Sequence, residues 1–249
     1  MTPTLSANLI TLDEERNLAP CLQSLAWVDE MVVVDGGSRD RTVEIARRYT
    51  DRVLVHTFDD YASQRNRALD ESRGEWVISI DADERVPVEL AREIRRMVAD
   101  ATPHMSGFWV PIRSRIFGRR FRFSGTQGER KMRLFRGDRA RWHGPVHETV
   151  TLHGPTGQLR HAIEHESTPD LETYFRKLER YSSLEAERIR AGCDSPAWWR
   201  PWLLPLWTFA RLYLGNLGVF DGPEGLRFCA LSGLGTWMAY RKFLARLDR

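Results

Sequence analysis

Apolar residues follow two rhythms along the first hundred positions. Short runs rich in β-branched side chains, at residues 5–11, 31–35, 53–55 and 76–80, alternate with stretches where apolar residues recur at helical spacing. Leu18, Leu22 and Leu25 share one face of a helix expected over 14–26, Asp40 is placed to cap a helix running to about 49, and a third helix spans about 60–72. Pro87 stands at the first position of a fourth, along which Leu90, Ile94, Met97 and Val98 repeat. Strand and helix alternating four times predict an α/β fold, a mainly parallel sheet with helices on both faces.

After Pro103 the rhythm changes. Residues 107–112, 131–135, 149–152 and 159–163 are short strand candidates between glycine-rich turns, suited to antiparallel additions at the sheet edge. Pro169, followed by Asp170 and Glu172, opens a long helix with Leu171, Tyr174, Leu178 and Tyr181 on one face, ending near Gly192. Beyond it, residues 198–207 and 228–240 are apolar and aromatic, and five of the nine tryptophans fall between Trp198 and Trp237. No apolar run reaches the ~20 residues of a membrane-spanning helix, because Arg211 and residues 221–225 interrupt it. The expected division is a catalytic domain over 1–168 and a helical, Trp-rich region over 169–249.

Composition narrows the class. A chain of 249 residues with 42% hydrophobic content fills one large core. Cys21, Cys193 and Cys229 form no C-x-x-C, which excludes a disulfide framework or zinc finger and suits a reduced, cytosolic protein. The N-terminus shows no basic segment followed by an apolar run, so export is not expected. Lys+Arg 37 against Asp+Glu 34 leaves only +3, too little to indicate nucleic acid. One basic stretch stands out, with eleven Arg or Lys between Arg113 and Arg141 against only Glu129 and Asp138. It reads either as a solvated face or as a rim for a diphosphate or a phosphorylated acceptor. Its interleaved Phe117, Phe121 and Phe123 would suit stacked bases, but the overall charge favours an anionic glycolipid.

Asp81-Ala-Asp83 directly follows an apolar strand. In an open parallel sheet the ligand crevice lies at the carboxyl ends of the strands, so acids there meet substrate. Two carboxylates one residue apart suit a hard divalent cation that bridges diphosphate oxygens; the alternative is a solvated turn. This reading requires both side chains to face a cleft rather than to sit in ion pairs with arginines. Asp35 ends the second strand on the same rim and suits a ribose hydroxyl or a base N–H, while Gly36-Gly37-Ser38-Arg39-Asp40 reads equally as a tight turn. A dinucleotide fold needs G-x-G-x-x-G after the first strand, where this chain has Thr11-Leu-Asp-Glu-Glu-Arg-Asn17, so NAD is disfavoured.

Four motifs in order resemble glycosyltransferase family 2, which has the GT-A fold: Thr11-Leu-Asp-Glu-Glu-Arg-Asn-Leu18; Val34-Asp35-Gly-Gly-Ser38-x-Asp40-x-Thr42; Gln64-Arg65-Asn66-x-Ala68 before Gly74-Glu-Trp76; and Ile80-Asp81-Ala-Asp83. Asp13 departs from the asparagine common in the family. The resemblance implies that Thr11, Glu14 and Asp35 line a nucleoside site, that Arg65 stands near the base or diphosphate, that Asp81 sits by the ribose, and that Asp83 holds Mg²⁺ or Mn²⁺ with help from Asp81. Arg133-Leu-Phe135, then Trp142-His-Gly-Pro-Val-His147-Glu148, His165 and Lys177-x-x-x-Tyr181 resemble the subgroup containing the lipopolysaccharide core β-glucosyltransferases. An inverting transfer needs a carboxylate base on the acceptor side, and Glu148 is the candidate. His165 is a candidate third metal ligand, and His147 and His165 are placed to orient Glu148.

The function so implied is a metal-dependent inverting transferase moving a hexose, glucose first, from a UDP-sugar to a lipopolysaccharide core or other lipid-linked glycan. The rivals are a nucleotidyltransferase, which would carry a Gly- and Arg/Lys-rich loop after its first strand, and a non-catalytic nucleotide-sugar scaffold. The Trp-rich C-terminal region with Arg200, Arg211, Arg227, Arg241 and Lys242 suits peripheral attachment at the cytoplasmic face of a bacterial inner membrane.

Overall fold

The computed structural model describes residues 3–126, 128–144, 148–168, 170–192 and 199–247, so His147, Pro169, Cys193 and Trp198 lie outside the described residues. The elements are β1 (Leu5–Thr11), α1 (Leu18–Ser24), β2 (Glu30–Asp35), α2 (Thr42–Ala46), β3 (Val53–Val55), α3 (Tyr61–Asp70), β4 (Trp76–Asp81), β5 (Glu84–Arg85), α4 (Val88–Ala99), β6 (Gly107–Ile116) and β7 (Arg119–Arg120). There follow β8 (Arg130–Arg136), β9 (Ala140–His143), β10 (Thr149–Leu152), β11 (Thr156–Gln158), β12 (Ile163–Thr168), α5 (Leu171–Gly192), α6 (Arg200–Ala210) and α7 (Gly222–Leu247). Two compact units result: residues 1–112 with 128–165, and residues 113–127 with 166–249.

In the first unit β3, β2, β1 and β4 pair in parallel in that order, and β8 and then β6 extend the sheet antiparallel. The parallel strands read as near-continuous apolar runs because both faces are covered. Leu5, Ala7, Leu9, Ile78 and Ile80 pack with α1 and α4 residues such as Leu18, Leu22, Leu90 and Ile94. The opposite face buries Val32 and Val34 against Ala68 of α3, and Val77 against Phe135 and Trp142. Each of the Leu, Ile, Val and Phe side chains contributes about 1.5–3 kcal/mol when fully buried. Register places Thr11 opposite Asp35 and Ile10 opposite Asp81, so the three strand ends form one rim.

Several elements depart from the expected bounds, α2 among them, which ends at Ala46 rather than near 49. The helix expected over 14–26 is regular only from Leu18, after a turn in which the Asn17 and Leu18 N–H groups bind the Glu14 carbonyl, while the N–H groups of Asp13, Glu14 and Glu15 bind Ser38, Thr42 and Asp40. No strand forms over 159–162: the N–H groups of Arg160 and His161 bind the Glu93 carboxylate at 2.9 and 2.8 Å instead of a neighbouring strand. Pro87 is the N-cap rather than the first helical residue of α4.

The second unit packs α5 and α6 on α7, with Ala186, Tyr240 and Phe243 at its centre. Residues 113–127 belong to it: Phe117 meets Tyr174, Phe121 meets Phe228 and Phe123 meets Phe220, at ring separations of 5.5, 5.4 and 5.7 Å. These phenylalanines are packing residues. The basic stretch that contains them is divided between the two units, and within the first unit Arg133 and Arg141 are ion-paired.

Candidate active site

The loops after β1 and β2 are laced together. Ser38 Oγ accepts from the Asp13 N–H (2.8 Å), Thr42 Oγ1 from the Glu14 N–H (2.8 Å), Asp40 from the Glu15 N–H (3.1 Å), and Asp13 in turn from the Arg39 N–H (2.7 Å). The spacing Ser38-x-Asp40-x-Thr42 is thus a row of acceptors for the facing loop. Asp13 adopts a left-handed backbone, φ 54°, a conformation that Asn and Asp tolerate best, and its side chain serves only as an acceptor. Asparagine offers the same oxygen, so Asp in place of Asn leaves this geometry intact.

Asp35 is fully buried and accepts from the Thr11 hydroxyl (3.1 Å), the Gly37 and Ser38 N–H groups (2.9 and 2.8 Å) and the Ser38 hydroxyl (2.5 Å). A carboxylate has about four lone-pair sites, and these contacts occupy them. Asp35 therefore builds the turn, the reading the sequence left open beside ribose recognition. Gly37, at φ 95°, supplies the left-handed step that lets the turn close.

The motif Gln64-Arg65-Asn66 on α3, capped by Asp60 through the Ser63 N–H, sends three consecutive side chains to three neighbours. Gln64 Nε2 donates to the His56 and Thr57 carbonyls at 3.2 and 3.3 Å. Asn66 clamps the backbone of Trp142 in both directions, at 2.9 and 3.0 Å. Arg65, only 5% exposed, donates from Nη2 to Asp81 Oδ1 (2.6 Å), from Nη1 to Ser79 Oγ (3.0 Å) and from Nε to Glu148 Oε1 (2.9 Å), and its guanidinium lies over the Trp142 ring.

Asp81 is held from the other side too. Arg133 of β8 donates from Nη2 to Asp81 Oδ2 (2.5 Å) and to Glu84 Oε1 (2.7 Å), while Glu84 Oε2 accepts the Asp81 N–H at 3.0 Å. Glu84 is fully buried and Arg133 nearly so. Burial opposes the charge on Asp81, but Arg133 and Arg65 outweigh it and hold the carboxyl well below its ordinary range. Burial, with Asp81 adding to it, pushes Glu84 up. Removing one member of such a buried pair costs about 3–5 kcal/mol.

The expected pair of open carboxylates is therefore corrected. Both oxygens of Asp81 sit in ion pairs with buried arginines, and only Asp83 departs from that pattern: its Oδ2 lies 3.2 Å from His165 Nε2, brought there by the pairing of β12 with β5. Burial disfavours the charged imidazole, yet Asp83 and Glu84 outweigh it and raise His165 above its ordinary value. The 3.2 Å separation is that of a hydrogen-bonded ion pair, and a carboxylate oxygen beside an imidazole nitrogen is a donor set from which divalent transition metals take ligands. Among the described residues no group of three or more His, Cys, Asp or Glu side chains is gathered around one cation position. The ion pairs of Glu84 and Arg133 were not foreseen; the only hint in the sequence was the acid following Asp83 directly and the excess of arginines that had to find partners.

The sequence model of the family described as Glycosyl transferase family 2 matches residues 6–163. A lipopolysaccharide core biosynthesis glycosyltransferase, LpsC of Rhizobium meliloti, is 30% identical over 237 residues, covering 92% of this chain and 84% of that protein. An uncharacterized glycosyltransferase of Rickettsia conorii is 35% identical over 100 residues, 40% of this chain and 36% of that one. Among solved structures, the mannosyltransferase PcManGT of Pyrobaculum calidifontis in complex with GDP-Man and Mn²⁺ superposes with a TM-score of 0.53 at 17% identity, covering 98% of this chain and 88% of that one, which shows the same fold.

Proposed function

The chain belongs to glycosyl transferase family 2 and is a glycosyltransferase of GT-A fold, working between a nucleotide-sugar donor and a glycan acceptor; from that premise we propose that it moves a hexose, glucose first, from a UDP-sugar to a lipopolysaccharide core or other lipid-linked glycan, with inversion and with Mg²⁺ or Mn²⁺. The acceptor class rests on the relative whose name places it in lipopolysaccharide core biosynthesis, and the cation on the Asp83–His165 pair, with the Mn²⁺ of the archaeal mannosyltransferase as support. Family membership sets aside the nucleotidyltransferase and the silent scaffold. A lipid-linked acceptor and a cytosolic sugar-nucleotide pool place the enzyme in the cytoplasm, peripheral to the inner face of the inner membrane.

In this proposal the nucleoside end lies at the tips of β1 and β2, where Thr11, Glu14 and Asp35 stand, Asp35 acting through the turn it builds. Asp83 and His165 hold the cation, and Asp81 serves by fixing Arg65 and Arg133 rather than as a metal ligand. When bound, the cation neutralises the charge that builds on the departing diphosphate. Glu148 takes the proton of the acceptor hydroxyl as its oxygen attacks the anomeric carbon, and the bond to the nucleoside diphosphate breaks on the opposite side. Its Oε1 accepts from Arg65, and the proposal assigns the proton to Oε2.

The observation that carries the proposal is the meeting, within one unit, of Asp83 with His165 and of Arg65 with both Asp81 and Glu148. Calorimetry with UDP and GDP, with and without Mn²⁺, followed by hydrolysis of a panel of nucleotide-sugars, tests it. Mn²⁺-dependent UDP binding with UDP-glucose turnover is expected; metal-independent binding, or preference for GDP, would replace the donor or cation assignment.

A further inference from the structure

Helix α6 and the π-helical turn that continues it, Arg211–Gly215, are apolar on both sides. Facing the unit's interior, Pro201 and Leu212 are buried, Leu204 packs by the Ala186–Tyr240–Phe243 cluster, and Thr208 meets Thr236 of α7 at 3.2 Å. Gly233 of α7 permits the close approach, since a Cβ there would stand 2.9 Å from the Pro205 carbonyl oxygen. At 3.6 residues per turn the opposite face carries Trp199, Trp202, Leu203, Leu206, Trp207 and Leu214. These are the large side chains left outside: Trp202 is 65%, Leu206 66% and Trp207 61% exposed, and beyond the helix Phe220 reaches 70%. A helix apolar all round is found in a buried core or against lipid, and this one is not buried on its outer side.

Charge selects the occupant. Residues 199–220 contain no acid; their charged residues are Arg200 and Arg211, eleven positions or about three turns apart, on one flank of the apolar face. The next acid, Asp221, is turned inward, accepting the N–H groups of Arg122 and Phe123 at 3.0 and 3.1 Å and the Ser124 hydroxyl at 2.8 Å. Glu224 is paired with Arg227. A tryptophan- and leucine-rich face, flanked by arginines and cleared of negative charge, has the composition of a helix lying in the interface of an anionic bilayer. It does not span. The sixteen residues 200–215 rise about 24 Å against a hydrocarbon core of about 30 Å, and among the described residues no helix is long and apolar enough to cross a membrane.

We propose that the face formed by Trp199, Trp202, Leu203, Leu206, Trp207 and Leu214 inserts into the headgroup region of an anionic bilayer, with Arg211 on lipid phosphates. This deepens the peripheral attachment stated above, by naming the surface and the lipid charge, and is independent of donor and metal.

The test is co-sedimentation of the full chain with vesicles of phosphatidylcholine alone and of phosphatidylcholine with about 30% phosphatidylglycerol, which carry a negative surface potential, beside sedimentation velocity without lipid. Wild type is expected to pellet with the anionic vesicles and to remain largely in the supernatant with the neutral ones. Trp202→Glu/Leu206→Glu, at exposed sites that leave the circular dichroism unchanged, should lower the partition at least tenfold, and Arg211→Gln about fivefold. Anionic binding that the double variant retains would overturn the assigned face while leaving peripheral attachment in place. A wild type that ignores vesicles and self-associates, with the double variant monomeric, would overturn the lipid partner and assign the face to a second copy. No binding and no association would overturn both the surface and the attachment.

Discussion

Arg65 and Glu148, eighty-three positions apart, meet through a 2.9 Å hydrogen bond from Nε to Oε1. The same guanidinium holds Asp81 at the tip of β4, so one side chain couples the donor rim to the proposed base. Its planar fork does this with two nitrogens, Nη2 and Nε, while Nη1 donates to Ser79, a geometry lysine lacks. Arg65→Lys is therefore expected to keep the fold, since a cation still faces Asp81, and to lower kcat/KM by about 10- to 100-fold, the worth of one or two charge-assisted hydrogen bonds. Steady-state kinetics beside thermal unfolding checks this; unchanged kcat/KM would remove the coupling role.

Glu148→Gln retains an oxygen able to accept from Arg65 but accepts no proton. UDP binding should persist within a few-fold while kcat falls about 10²- to 10⁴-fold, the usual contribution of a positioned base. Calorimetry and turnover on the same preparation separate the two. Full turnover by the variant would send the search for the base elsewhere.

Glu93 couples acid stability to the strand bearing His165. Burial opposes its charge, but the N–H groups of His161 and Arg160 and the His161 side chain outweigh burial and lower its pKa. A carboxyl whose folded value lies below its unfolded value stabilises the fold above the unfolded value, and that contribution is lost as pH falls through the folded one. Glu93→Gln should cost about 1–2 kcal/mol at neutral pH and flatten the acid limb of the stability curve. Urea unfolding between pH 3 and 7, a range set to span the ordinary glutamate value of about 4.3, reads both effects. Parallel curves for wild type and variant would show that the carboxylate is not responsible.

The parallel half of the fold was legible because burial on both faces writes itself as apolar runs: β1 matches residues 5–11 throughout, and β2 and β4 each differ by one residue at one end. The polar architecture was not. Nothing in the rhythm of residues 13–15 signals that Ser38, Thr42 and Asp40 will take their N–H groups, because the partners lie more than twenty residues away. Asp81 and Asp83 look alike in sequence, one residue apart at a strand end. What separates them is which neighbours arrive: two buried arginines for Asp81, one histidine for Asp83. The motif order located the rim, and the antiparallel half, through Arg133 and β12, gave the two carboxylates their different partners.

The central claim is that Asp83 and His165, not Asp81, hold the divalent ion. Titration of Mn²⁺ into the protein with UDP, followed by electron paramagnetic resonance, tests it directly across wild type, Asp83→Ala, His165→Ala and a pH series. The free Mn²⁺ signal should fall with wild type and persist with either variant. Wild-type affinity should also weaken as pH drops through the raised pKa of His165, because the proton and the metal compete for the same nitrogen. Undiminished Mn²⁺ binding in His165→Ala, with no pH dependence in the wild type, would contradict the account.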